Sequence, residues 1–311
     1  MRSPPQIVRL AGRQVAIEDA GPPSGFPVIV HHAGSRHLFP GAVRDAQASG
    51  LRLIGYDRPG QGNSTPQPGR AVADCAEDVR AILAHLGISR VAVWGSSAGG
   101  PYALATAALL PEPIASVCLF ASLGPYGQPG LDFAEGMPEG FREQIRMFFD
   151  DPGQARADFR AQSAEFAPLA SSPAWWMDQW ADRAGKDPAH SQEWAGYLAL
   201  VNRDGYPNGD EGWWEDWAAS FLPWGFDLAT IQAPVAMWHG LADTTPPAAH
   251  SRWLADRIPH VTAHFPAGED HTNVEENNRS AAIAWVRSHI KSKPSPASGR
   301  SNPDNDLQLP Y

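Results

Sequence analysis

Between residues 26 and about 121, short apolar runs rich in branched side chains alternate with segments patterned as helices. FPVIVHH (26–32), LRLIGYD (51–57), RVAVWG (90–95) and IASVCLF (114–120) are the apolar runs. GAVRDAQASG (41–50), AVADCAEDVRAILAHLGI (71–88) and GPYALATAALL (100–110) lie between them. In the longest helical segment Val79, Ile82, Leu83 and Leu86 recur at helical spacing, and Gly87 supplies the stop. Such alternation constrains the fold strongly. Each crossover helix returns the chain to the same end of the sheet, so the result is an α/β fold, a mostly parallel central sheet with helices on both faces. The pattern resumes late in the chain with APVAMWHG (233–240), a helix over 246–258, VTAHF (261–265) and a closing helix over 279–290. Thr245 as N-cap and Pro246 at N1 are expected to open the first of these helices. The first twenty residues read as two short strands joined by an Ala11-Gly12 turn.

Residues 124–225 break the alternation. They contain helix-like pieces, no convincing strand, and eight of the chain's twelve tryptophans. The expected organisation is a core from residues 1–123 plus 226–292, a helical cap inserted at 124–225, and a flexible C-terminal tail at 293–311, where Pro, Ser and Asn dominate.

Composition narrows the partners. Lys plus Arg number 24 against 34 Asp plus Glu, a formal net charge of −10, and the cations are scattered. Nucleic acid is therefore not an expected partner, because neutralising phosphates takes clustered positive charge. No stretch approaches the ~20 apolar residues of a membrane span, and the N-terminal MRSPPQIVRLAG holds no secretory apolar run. Cys75 and Cys118 fall in a helix and a buried strand, which suits two free thiols in a reducing compartment. The expectation is a soluble cytoplasmic protein acting on a small molecule.

The stretch VAVWGSSAGGPYALA (91–105) sets two serines between glycines at a strand-to-helix junction. A tight turn that raises a side chain above a sheet needs very small residues two before and two after it. Gly95 and Gly99 stand there for Ser97, whereas Trp94 would stand there for Ser96. Ser97 is the candidate nucleophile, in the G-x-S-x-G pattern of the α/β-hydrolase elbow. Its hydroxyl needs a base to remove the proton and an acid to orient the base, in the chain order Ser, acid, His. Asp243, just after the strand 234–239, supplies the acid, and His271, six residues past Phe265, the base. Asp132, in the loop after 114–121, is the alternative acid. His250 and His264 lie inside predicted elements, and His239 has no acid after it in the required order.

These stretches, with YDRPGQGNS (56–64), PWGFDLATIQAPVAMWHGLADTTPP (223–247) and GEDHTN (268–273), resemble the α/β-hydrolase superfamily, specifically its capped serine esterase and aminopeptidase-like branch. The resemblance covers most of 26–123 and 223–292. It implies a serine hydrolase without metal or cofactor, and an oxyanion hole of two backbone N–H groups. Ala98 would give one. The other would come from HHAGSR (31–36), with Ala33, or Gly34 beside it, as donor and His32 where relatives usually carry glycine. His31 is expected to hold loop backbone and His32 to face the pocket. Asp57 and Arg58 are expected to organise their own loop.

The tryptophans of the cap are expected mostly to pack helices, with one or two, Trp176 and Trp214, lining the pocket. That implies a substrate apolar or aromatic beside its reactive carbonyl, most simply a carboxylic ester. Lactone or carbon–carbon bond hydrolysis could run on the same triad. A proline-iminopeptidase-like aminopeptidase would need one of the acids Asp178, Glu193, Asp204, Glu211, Glu215 or Asp216 to hold a free amine.

Overall fold

The computed structural model describes residues 4–32, 35–179 and 188–290, so the expected tail lies outside the described residues. Eight strands form one sheet: β1 (Gln6–Leu10), β2 (Arg13–Ala20), β3 (Phe26–His31), β4 (Leu51–Tyr56), β5 (Val91–Ser96), β6 (Ile114–Phe120), β7 (Val235–Trp238) and β8 (Val261–His264). Their spatial order is β1-β2-β4-β3-β5-β6-β7-β8. β1–β2 and β2–β4 pair antiparallel, and every pairing from β4 through β8 is parallel.

The apolar runs are continuous because both faces of the sheet are covered. Along β5, Val91 and Val93 enter one core cluster, whereas Ala92 and Trp94 enter the other. The same alternation sends Val117 and Leu119 one way, Cys118 and Phe120 the other. Helices α2 (Cys75–Leu86) and α3 (Gly100–Leu109) cover the first face, and α1 (Pro40–Ala48) and α10 (Val274–Ile290) the second. Helix α2 stops at Gly87, whose φ of 66° closes the last turn at no Cβ cost. Cys75 and Cys118 are buried free thiols, and burial pushes the Cys75 thiol up to about 12. Among the described residues no helix is long and apolar enough to cross a membrane.

Between β6 and β7 run α4 (Glu139–Asp150), α5 (Pro152–Ala170), α6 (Pro173–Gln179), α7 (Pro188–Gly205) and α8 (Glu211–Phe221), with no strand among the described residues. Helix α5 buries only Ala155, Ser163 and Ala170, so no apolar stripe announces it in the sequence. Helix α9 (Ala249–Ala255) corrects the expected start at Pro246. Thr244 and Pro247 pair in a short bridge, and the Thr245 N–H donates to Asp243 Oδ1 at 2.7 Å. Residues 244–247 are therefore shaped around Asp243 rather than wound into a helix.

Candidate active site

Ser97 follows the last residue of β5 and has φ of 55°, whereas Ser96 is extended at φ −122°. Residues 97–99 make one tight turn before α3 begins. Both flanking glycines answer a close approach. A Cβ on Gly95 would lie 2.6 Å from the Ala103 Cβ, and one on Gly99 would lie 2.1 Å from the carbonyl oxygen of His31. Gly99 is thus fixed by the end of β3, a neighbour that the five-residue pattern alone does not reveal. Ala98 borders the cavity at Ser97, at the helix entrance where backbone N–H groups lack intrahelical acceptors.

Asp243, its side chain fully buried, lies beyond β7 and accepts from His271 Nδ1 at 2.9 Å. That bond puts the imidazole proton on Nδ1 and leaves Nε2 to act as base. Behind the pair stands His239. Its Nε2 donates to the Pro246 carbonyl at 2.8 Å and lies 3.4 Å from Asp243 Oδ2, while Nδ1 accepts from the Ser251 hydroxyl at 2.7 Å. Burial would raise the Asp243 carboxyl; hydrogen bonds from His239, His271 and the Thr245 N–H outweigh it and hold the group at about 2. The alternative acid, Asp132, is exposed on the loop after β6.

Ser97 and His271 border a cavity of about 330 Å³, walled chiefly by Phe133, Phe141, Phe159, Trp213, Trp217 and Phe221. The same two residues border a second cavity of about 250 Å³, toward α1 and α7. Of the proposed lining tryptophans, neither Trp176 nor Trp214 borders the first cavity. Trp176 donates to the Ala170 carbonyl at 2.8 Å and packs on Trp175 and Phe166. Trp214 sits against Phe148, Phe159 and the Arg156 guanidinium. On α8 it is Trp213 and Trp217, one turn apart, that border the cavity. Trp214, next to Trp213 in sequence, points about 100° away around the helix.

Ala33 and Gly34 lie outside the described residues. His32 borders the second cavity, and burial followed by the nearby Arg58 charge lowers its ring to about 3. His31 does not hold loop backbone. It is buried between the Tyr56 hydroxyl (3.2 Å) and Thr106 Oγ1 (3.1 Å). Asp57 does organise its loop, accepting from the Arg36 backbone (2.6 Å), the Arg36 guanidinium (2.8 Å) and the Asn63 N–H (3.0 Å).

Arg58 goes elsewhere. Its Nη1 donates to the His32 carbonyl at 2.6 Å and its Nε to Asp216 Oδ2 of α8 at 2.7 Å, with the guanidinium 4.5 Å over the Tyr102 ring. Asp216 also accepts from Arg70, Gln61 and, at 3.1 Å, the Tyr102 hydroxyl. Burial opposes the charge on both partners, yet Arg58 and Arg70 hold Asp216 below the usual carboxylate range and Asp216 raises Arg58. Sequence reasoning gave Asp216 no more weight than its acidic neighbours, since nothing local marks which carboxylate turns inward. Among the described residues no group of three or more His, Cys, Asp or Glu is placed to hold a metal ion.

Residues 27–278 match the family described as alpha/beta hydrolase fold. The chain is 36% identical over 125 residues to the dihydrolipoyllysine-residue acetyltransferase component of the acetoin cleaving system of Pseudomonas putida, covering 39% of this chain and 33% of that one. It thus spans only about a third of that relative's length. It is 27% identical to a non-heme haloperoxidase of Rhodococcus erythropolis over 252 residues, 79% of this chain and 85% of the relative. The crystal structure of the esterase RhEst1 from Rhodococcus sp. ECU1013 superposes with a TM-score of 0.61 at 23% identity, covering 92% of this chain and 98% of that one. With the match spanning most of its length and the sheet order described above, the chain belongs to the alpha/beta hydrolase fold family.

Proposed function

We propose that the protein is a serine hydrolase cleaving carboxylic esters with an apolar or aromatic half, through an acyl-enzyme. One observation carries the reading: Ser97, in a left-handed backbone conformation, shares a cavity with His271, whose far nitrogen is bonded to buried Asp243. Ser97 Oγ attacks the ester carbonyl as its proton passes to His271 Nε2. Asp243 fixes the imidazole tautomer and stabilises the imidazolium. The Ala98 N–H takes part of the charge that develops on the carbonyl oxygen, and Ala33 or Gly34 would supply the second donor. His271 then protonates the departing alkoxide, and water on the same base releases the acid.

The first cavity supports the apolar preference, since aromatic and aliphatic side chains make most of its wall. An aminopeptidase finds less support among the inserted helices, where five of the six acids have partners and the sixth, Asp178, is exposed on α6. Glu193 is bound to Arg44, Asp204 to His37, Glu211 to Arg156, Glu215 to the Gly69 N–H, and Asp216 to Arg58 and Arg70. The test is labelling by a fluorophosphonate with the adduct mapped by mass spectrometry, together with turnover of p-nitrophenyl esters. An adduct on Ser97, and loss of turnover in Ser97→Ala, are the expected results. Turnover that survives Ser97→Ala sinks the reading.

A further inference from the structure

The two cavities meet at Ser97 and His271, so a bond broken there divides its substrate into one half per cavity. Their chemistry differs. In the first, the one carboxylate on the wall, Asp216, is paired with Arg58, which borders the same cavity, and with Arg70 behind it. The second is walled by Phe39, Trp94, Trp194 and Tyr197, with Phe39 stacked on Trp194 at 3.9 Å and Tyr197 edge-on to both rings at 5.6 Å. Into this aromatic space opens Glu275, in the first turn of α10.

Among the described residues the hydrogen-bond partner of the Glu275 carboxylate is the neutral Ser96 hydroxyl. The charged groups nearby have other partners. Arg279, one turn further along α10, pairs through Nη1 with Asp45 at 3.0 Å and rests on the Phe39 ring, while its Nε and Nη2 are buried without a hydrogen-bond partner among the described residues. His190 pairs with Glu276 at 2.9 Å, and Arg44 with Glu193. His32, its ring lowered to about 3, brings no positive charge to the cavity near neutral pH. A helix dipole favours an acid in a first turn, which accounts for a carboxylate there. It does not account for that carboxylate facing an aromatic cavity beside the nucleophile. In that place the charge opposes the negative charge that must build on the reacting carbonyl oxygen. A positive charge on the substrate, held between aromatic walls and Glu275, removes the opposition.

We propose, resting on the hydrolase reading above, that the second cavity is a subsite for a cationic group. The substrate carries a quaternary ammonium or protonated amine in the half beside Glu275, and an apolar or aromatic group in the other. Aromatic faces and a carboxylate together are the chemistry that selects such a cation over its neutral isostere.

The cation can reside in the alcohol or in the acyl half, and two substrate pairs separate these. One pair is 2-(trimethylammonio)ethyl phenylacetate against 3,3-dimethylbutyl phenylacetate. The other is benzyl 4-(trimethylammonio)butanoate against benzyl 5,5-dimethylhexanoate. Within one pair, kcat/KM, corrected for alkaline hydrolysis rates, is expected to favour the cation by about tenfold or more. In Glu275→Gln the ratio should fall to within about threefold of unity, and Trp194→Leu should lower it partway. No cation preference in either pair, or a preference that survives Glu275→Gln, overturns the subsite. Should no ester be cleaved, the hydrolase reading falls and binding decides the subsite alone. Tetramethylammonium, titrated against tryptophan fluorescence, must bind wild type at least about fivefold tighter than Glu275→Gln. Equal affinity overturns the proposal.

Discussion

Asp243 shows how one buried side chain can orient a histidine and still be coupled to stability. Its two oxygens are shared among His271, the Thr245 N–H and the nearby His239 ring. Asp243→Asn should therefore lower kcat for p-nitrophenyl esters by about 10³–10⁴, because the amide no longer enforces the Nδ1–H tautomer. Asp132→Asn, at an exposed position, should leave kcat within about twofold. The carboxyl titrates at about 2 when folded against an ordinary 3.8. A depressed acid contributes stability above its unfolded pKa, and loses it as pH falls through the folded one. The denaturant midpoint of wild type relative to Asp243→Asn should narrow between about pH 4 and pH 2. A constant difference across that window would mean that the bonds do not favour the ionised form. This site was legible because its three residue types sit at fixed places relative to strands. Glu275 and Arg58 were not, since what gives them meaning is the distant wall each one faces.

At the level of elements, α8 binds the inserted helices to the sheet. Asp216 reaches Arg58 and Arg70 from the core while Trp213 and Trp217 turn to the cavity. Removing one partner of a buried ion pair leaves the other desolvated and unpaired. Asp216→Asn should destabilise the protein by about 3–5 kcal/mol in denaturant unfolding. Replacing the whole cluster, Asp216→Leu with Arg58→Met and Arg70→Met, should recover a large part of that loss. If the single and triple variants unfold alike, the pairing is not what makes Asp216 costly to lose. The tryptophans separate by face. Trp217→Ala should raise KM for bulky aromatic esters several-fold, through lost apolar contact at ~25 cal/mol per Å². Trp176→Ala should change KM by less than twofold, and an equal effect would move the binding wall to α6. The strands were readable because burial on both faces makes them continuous apolar runs. Helix α5 was not, because so little of it is buried, and the start of α9 was lost to hydrogen bonds with residues outside its own segment.

Across the whole molecule, β5 lies inside the sheet, flanked by β3 and β6, while β7 and β8 complete one edge. The alternation of runs was enough to indicate a parallel sheet with covered faces. It could not give the order of strands, which depends on pairings between segments far apart in sequence. That order has a consequence in time. Ser97 leaves a strand formed early in the chain, whereas Asp243 and His271 follow the last two strands to be made. The elbow can close on β3 and β6 before its partners are made, at the ~5–20 residues per second of synthesis. On the proposed reading, Ser97 precedes His271 by 174 residues, so at that rate a growing chain carries the serine for roughly 9–35 s before its base is made.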